Sequence, residues 1–155
     1  MNKVLKKVAT GCIIGASALT LLVGCSNTSD DSSKAAKADA PITYEKQDAN
    51  NLIMNVKKVE TVKTQKTKDK VIVTMTIKNN SPMTQDIGSI DFVLKTADKT
   101  YTVDPDSIAF GQPIKAGASL DGDVTFVVPD SVEKGTVQYK PAKESLAEWK
   151  IDIEE

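Results

Sequence analysis

Along residues 71–78 the side chains alternate: Val71, Val73, Met75 and Ile77 fall on one side, and Ile72, Thr74, Thr76 and Lys78 on the other. A period of two with one apolar side marks a strand that buries one face. Ile90, Phe92 and Leu94 repeat the pattern, as do Leu120, Val124, Phe126 and Val128 around Gly122. Shorter runs at Leu52–Val62, Tyr101–Val103, Thr136–Tyr139 and Trp149–Ile153 bring the expected strands to about seven. Turn formers separate them at Asn79-Asn80-Ser81-Pro82, Ala97-Asp98-Lys99, Asp104-Pro105-Asp106, Lys115-Ala116-Gly117 and Lys134-Gly135. Only Ala142–Glu148 predicts a helix, of about two turns. Many short strands with frequent turns predict an all-β sandwich over residues 41–155.

The amino-terminal residues follow a different pattern. Lys3, Lys6 and Lys7 form a positive start, an apolar run extends from Val8 to Val23, and a polar Ser/Asn/Asp stretch follows Cys25. The run of 16 residues is short for a bilayer-spanning helix, which needs about 20. It reads as an export signal over residues 1–24. Its end, Leu22-Val23-Gly24-Cys25, resembles the lipobox of bacterial lipoproteins. That resemblance implies cleavage between Gly24 and Cys25 and a diacylglyceryl thioether on the Cys25 sulfur. Cys12 would leave with the signal, so neither a disulfide nor a free thiol would remain.

Residues 25–40 carry no aliphatic side chain larger than Ala after the lipidated Cys. Such a segment buries too little apolar surface to offset its ordering entropy and is expected to act as a flexible tether. At about 20 Å of mean reach, it would hold the sandwich beside the membrane or in the inner wall. Loss of Lys3, Lys6 and Lys7 would leave 17 Lys against 21 acids, a net charge of −4. A body of that sign gains no adhesion from an anionic membrane, so the lipid on Cys25 is the expected link.

The segments Val73–Ser81 (VTMTIKNNS), Ile90–Leu94 (IDFVL), Tyr101–Asp104 (YTVD) and Ile114–Pro129 (IKAGASLDGDVTFVVP) together resemble a family of Gram-positive lipoprotein domains of unknown function. The resemblance covers roughly residues 50–155. It implies a telokin-like, immunoglobulin-like sandwich related in fold to a mycobacterial immunoprotective secreted antigen. The matching motifs are structural, and no catalytic residue comes with them.

Composition narrows the chemistry. Among 155 residues there are 20 basic side chains, every one of them Lys, with no Arg and no His. The commonest general base and zinc ligand is missing, as is the bidentate phosphate fork. Glu144 and Glu148 stand near the single Trp, Trp149, but Trp149 heads an alternating strand and belongs to the core before it belongs to a sugar platform. Ser32-Ser33-Lys34 lies in the tether. No enzyme activity and no cofactor are expected. Transition-metal capture and nucleic-acid binding are disfavoured by the same composition.

Two clusters remain. Lys57, Lys58, Lys63, Lys66, Lys68 and Lys70 crowd the end of one expected strand and the start of the next. They predict either a basic contact with an anionic partner, such as wall polymer or an envelope protein, or a solvated hairpin whose lysines guard an edge strand. Asp104 and Asp106 in one loop offer a weak calcium site, against the plainer reading of turn-forming acids. Asp121 and Asp123 flank Gly122 and are expected to point outward from one sheet face. The expected function is a membrane-anchored, non-catalytic binding or accessory module of the cell envelope. The alternative is an envelope solute or calcium receptor that uses the loop carboxylates.

Overall fold

The computed structural model describes residues 42–65, 67–107 and 109–153. Within the unit Asp39–Glu155 these form an all-β sandwich. Ten strands are present among the described residues: β1 (Gln47–Ala49), β2 (Leu52–Gln65), β3 (Lys68–Asn79), β4 (Gln85–Gly88), β5 (Phe92–Lys95), β6 (Thr100–Thr102), β7 (Gly111–Ile114), β8 (Ser119–Pro129), β9 (Lys134–Tyr139) and β10 (Ala147–Asp152). One sheet runs β1-β2-β3-β8, a second runs β10-β9-β5-β6, and β4 pairs β7 in a separate ribbon. All the pairings are antiparallel.

The seven expected strands are all there. The three extra ones, β1, β4 and β7, have only three or four residues each, too few to show a period. The β1–β2 turn was nevertheless written in the chain. Ala49 pairs with Leu52, and the two residues between them, Asn50 and Asn51, have φ of 56° and 63°. Two successive left-handed residues make the hairpin turn whose twist suits antiparallel strands, and Asn tolerates that region.

The core forms where the inner faces meet. Val71, Val73, Met75 and Ile77 from β3 pack with Leu52, Met54 and Val56, with Val124, Phe126 and Val128, and with Phe92, Leu94, Val137, Trp149 and Ile151 of the facing sheet. Trp149 is buried, and its indole N–H donates to the Glu45 carbonyl at 2.8 Å. It is a core residue, as its alternation implied.

Two expectations fail locally. Ala142–Glu148 is not helical: the chain bends through residues 141–144 and β10 begins at Ala147. Pro141 lacks an N–H, and the alternation of Ala147, Trp149 and Ile151 toward the core prevails over the helix preference of Ala, Lys and Glu. The Leu146 N–H closes the connection on the Tyr139 carbonyl at 2.9 Å. Ile90, expected on a buried face with Phe92 and Leu94, lies in a single 3-10 turn (Ser89–Asp91) and is 84% exposed. The turn changes the phase, and period two resumes only at Phe92.

Candidate functional site

The register of β2 and β3 distributes the described lysines over the edge and both faces of the hairpin. β1 pairs only Leu52–Met54, so among the described residues β2 has no strand beside its outer edge from Asn55 onward. Along that edge the pairing with β3 slips at Val56/Lys58 and again at Lys63/Gln65. The first slip inserts Lys57. Before it Leu52, Met54 and Val56 face the core; after it Val59 and Thr61 lie opposite the inward-facing Val73 and Val71. The lysines are accordingly scattered. Lys57 sits exposed in the bulge, Lys58 meets Glu60 at 2.6 Å on the outer face, and exposed Lys63 lies opposite buried Asp69. Lys68 is exposed at the start of β3, and Lys66 lies outside the described residues.

Lys70 has a different role. It is half-buried on the outer face of β3, and its Nζ approaches Asp104 Oδ2 at 2.9 Å across β8. Asp104 is buried at 8% exposure. Its backbone N–H donates to the Thr125 carbonyl at 2.8 Å, tying the loop to β8. Its Oδ1 accepts the Asp106 N–H at 3.2 Å, and Oδ2 accepts no further hydrogen bond among the described residues. The hydrogen bond from Lys70 holds the Asp104 carboxyl below the ordinary aspartate value. Burial works in the opposite direction, while the Asp106 N–H and the Lys70 charge assist the lowering. Two residues singled out from separate clusters thus join in one ion pair. A calcium ion at Asp104 would have to displace the Lys70 ammonium, and no metal-holding cluster occurs among the described residues.

Asp121 and Asp123 point outward together, as expected. Each accepts a hydroxyl from β3, Asp123 from Thr74 at 2.7 Å and Asp121 from Thr76. They form a cross-strand ladder on the first sheet. At the far end of β3, Asn79 is fully buried. Its amide donates to the Met83 and Ile114 carbonyls at 2.6 and 2.8 Å, and its oxygen accepts the Ser81 N–H at 2.9 Å and the Ser81 hydroxyl at 2.8 Å. The expected turn at Asn79 is side-chain-bonded and is also the joint that holds the β4–β7 ribbon to the sheet.

An open groove of about 580 Å³ crosses the outer face of the second sheet, lined by Lys95, Thr136, Gln138, Lys150, Lys134 and Asp152 among others. Lys134 had been named from the sequence as a turn former and Thr136 as the start of a strand run, and the rest had not been singled out. β9 and β10 follow one another in the chain, but Lys95 on β5 lies far earlier, so only the sheet order brings it beside Thr136. The signal in the chain was faint: Lys134, Thr136 and Gln138 alternate with buried Val137 and Tyr139.

Residues 42–147 match the model of a domain of unknown function, DUF4352. The chain belongs to that family, which accounts for the strand motifs from Val73 to Pro129. No curated protein matches the chain. Among solved structures, ycdA of Bacillus subtilis, described there as a candidate lipoprotein, is similar at 23% identity and a TM-score of 0.56. That match covers 71% of this chain but only 38% of ycdA, so this chain spans well under half of it. The yjhA protein of Bacillus subtilis matches at 20% identity and a TM-score of 0.54, over 63% of this chain and 79% of its own. A functionally unknown protein of Listeria monocytogenes matches at 11% identity and 0.53, over 72% and 84%. At these identities the likeness is one of fold.

Proposed function

We propose that this chain is a lipid-anchored, non-catalytic binding or accessory module on the extracytoplasmic face of the membrane. The observation that carries this reading is Leu22-Val23-Gly24-Cys25 behind the Lys3, Lys6 and Lys7 start. That segment lies outside the described residues, and no helix among those described is long and apolar enough to cross a membrane. The fold it shares with ycdA, described as a candidate lipoprotein, supports the reading. The wider kinship in fold with a mycobacterial immunoprotective secreted antigen belongs to the same reading, and a strand-by-strand superposition tests it.

The case for binding over turnover is chemical. The chain has no His and no Arg, and a lipidated Cys25 leaves no thiol nucleophile. Asp121 and Asp123 accept hydroxyls from a neighbouring strand, and Asp104 and Asp152 face lysines, roles that hold the fold together. In cells fed a labelled fatty acid, the full chain is expected to take up label and sediment with membranes. Cys25→Ser should lose both, and Cys12→Ser should keep both. Equal labelling of the two variants would end the lipoprotein reading.

A further inference from the structure

The outer face of the second sheet brings four side chains into one transverse row. Thr100 lies opposite Lys95, Lys95 opposite Thr136, and Thr136 opposite Lys150. Alternation places them on the face opposite Leu94, Val137 and Ile151, which are buried. Adjacent strands lie about 4.8 Å apart, so Lys95 and Lys150 flank Thr136 with about 10 Å between their backbones. Two four-carbon stems span that gap readily, and both ammonium groups can reach one anion above the Thr136 hydroxyl. Thr136, Lys95 and Lys150 line the groove of about 580 Å³.

Charge decides what fits. The groove holds Lys95, Lys134 and Lys150 against Glu148 and Asp152, a formal charge of +1 on a chain whose own total is −1. Both acids are already engaged: Glu148 accepts the Gln138 amide at 2.6 Å, and Asp152 faces Lys134 at 3.7 Å. Lys95 and Lys150 have no ion pair among the described residues. The hairpin lysines offer less, because Lys70 is held by Asp104 and Lys58 by Glu60.

We propose that the row Lys95–Thr136–Lys150 binds the phosphodiester groups of an anionic polymer, a proposal that rests on the binding-module reading. A phosphodiester carries one negative charge, which complements the groove. Lysine meets it as a point charge, and the hydroxyl adds a directed donor. No aromatic ring lines the groove to stack a neutral sugar. A flat anionic bilayer pressed on this face would meet the Glu148 and Asp152 carboxylates as well as the lysines.

The test uses the full chain in non-ionic detergent, titrated with a glycerol phosphodiester polymer, inorganic phosphate or phosphatidylglycerol carried in mixed micelles of the same detergent. Saturable binding of the polymer is expected, weakening as salt rises. The double variant Lys95→Gln/Lys150→Gln should lower affinity at least about tenfold, the loss of roughly one charge-assisted contact. Lys57→Gln/Lys68→Gln on the first sheet should leave it unchanged. Equal losses in the two double variants would overturn the site in favour of diffuse charge. Binding to the phosphatidylglycerol micelles but not to polymer would overturn it in favour of the membrane, and binding to inorganic phosphate alone would overturn the polymer. No polymer binding by a chain whose Cys25 still takes up fatty acid would sink this site and leave the anchored module standing.

Discussion

At the scale of single residues, the Lys70–Asp104 pair shows how a buried acid is kept. Burial alone would favour the neutral carboxyl, and the ammonium 2.9 Å away reverses that preference. The native state then holds its proton less tightly than the unfolded chain, so the pair's contribution is complete above the ordinary aspartate range. It drains away as pH falls from about 5 through the lowered native value. Replacing Lys70 by Met leaves Asp104 buried without its cation. The expected cost at neutral pH is about 1–3 kcal/mol, read by denaturant unfolding. The gap between parent and Lys70→Met should close below about pH 4 as the carboxyl takes up a proton. A gap of constant size across that range would show that Lys70 acts by packing its stem and not by its charge.

At the scale of elements, β2 is the instructive strand. The long edge beyond its pairing with β1 carries two slips in register and exposed lysines, both of which discourage pairing with another chain. With Lys57 and Lys58 both changed to Val, concentration-dependent association should rise in light scattering while the melting midpoint moves little. A double variant as monodisperse as the parent would assign edge protection to the slips alone.

The same strand shows what could and could not be read from the chain. Leu52–Val62 was legible as a strand because Leu52, Met54 and Val56 alternate, yet the phase change at Lys57 was not, since a bulge leaves no compositional mark. Asn79 was legible as a turn residue, but its burial depended on Met83 and Ile114 arriving from elsewhere. The groove around Thr136 was invisible for the related reason that β5, from much earlier in the chain, meets β9 only through the sheet order.

At the scale of the whole molecule, the described residues hold together by apolar burial and backbone pairing. One core cluster draws on both sheets and on the ribbon strands through Ile87 and Ile114. A chelator and a reductant should therefore leave the melting midpoint where it is. A fall of several degrees on adding EDTA would reveal an ion bound to the native state, because such a ligand stabilises only what it binds.

The bond between the Trp149 indole and the Glu45 carbonyl has a mechanical consequence. Tension applied from the amino-terminal side passes through Glu45 before it reaches β1, which is pinned to β2 by only three residue pairs. The first yield under load should be the release of Trp149's grip and the peeling of β1. The β2-β3-β8 layer would stay whole behind it, because β3 is laced along its length to a neighbour on each side. Residues 45–51 then act as a short extensible leader, lengthening by about 20 Å before the core feels the pull.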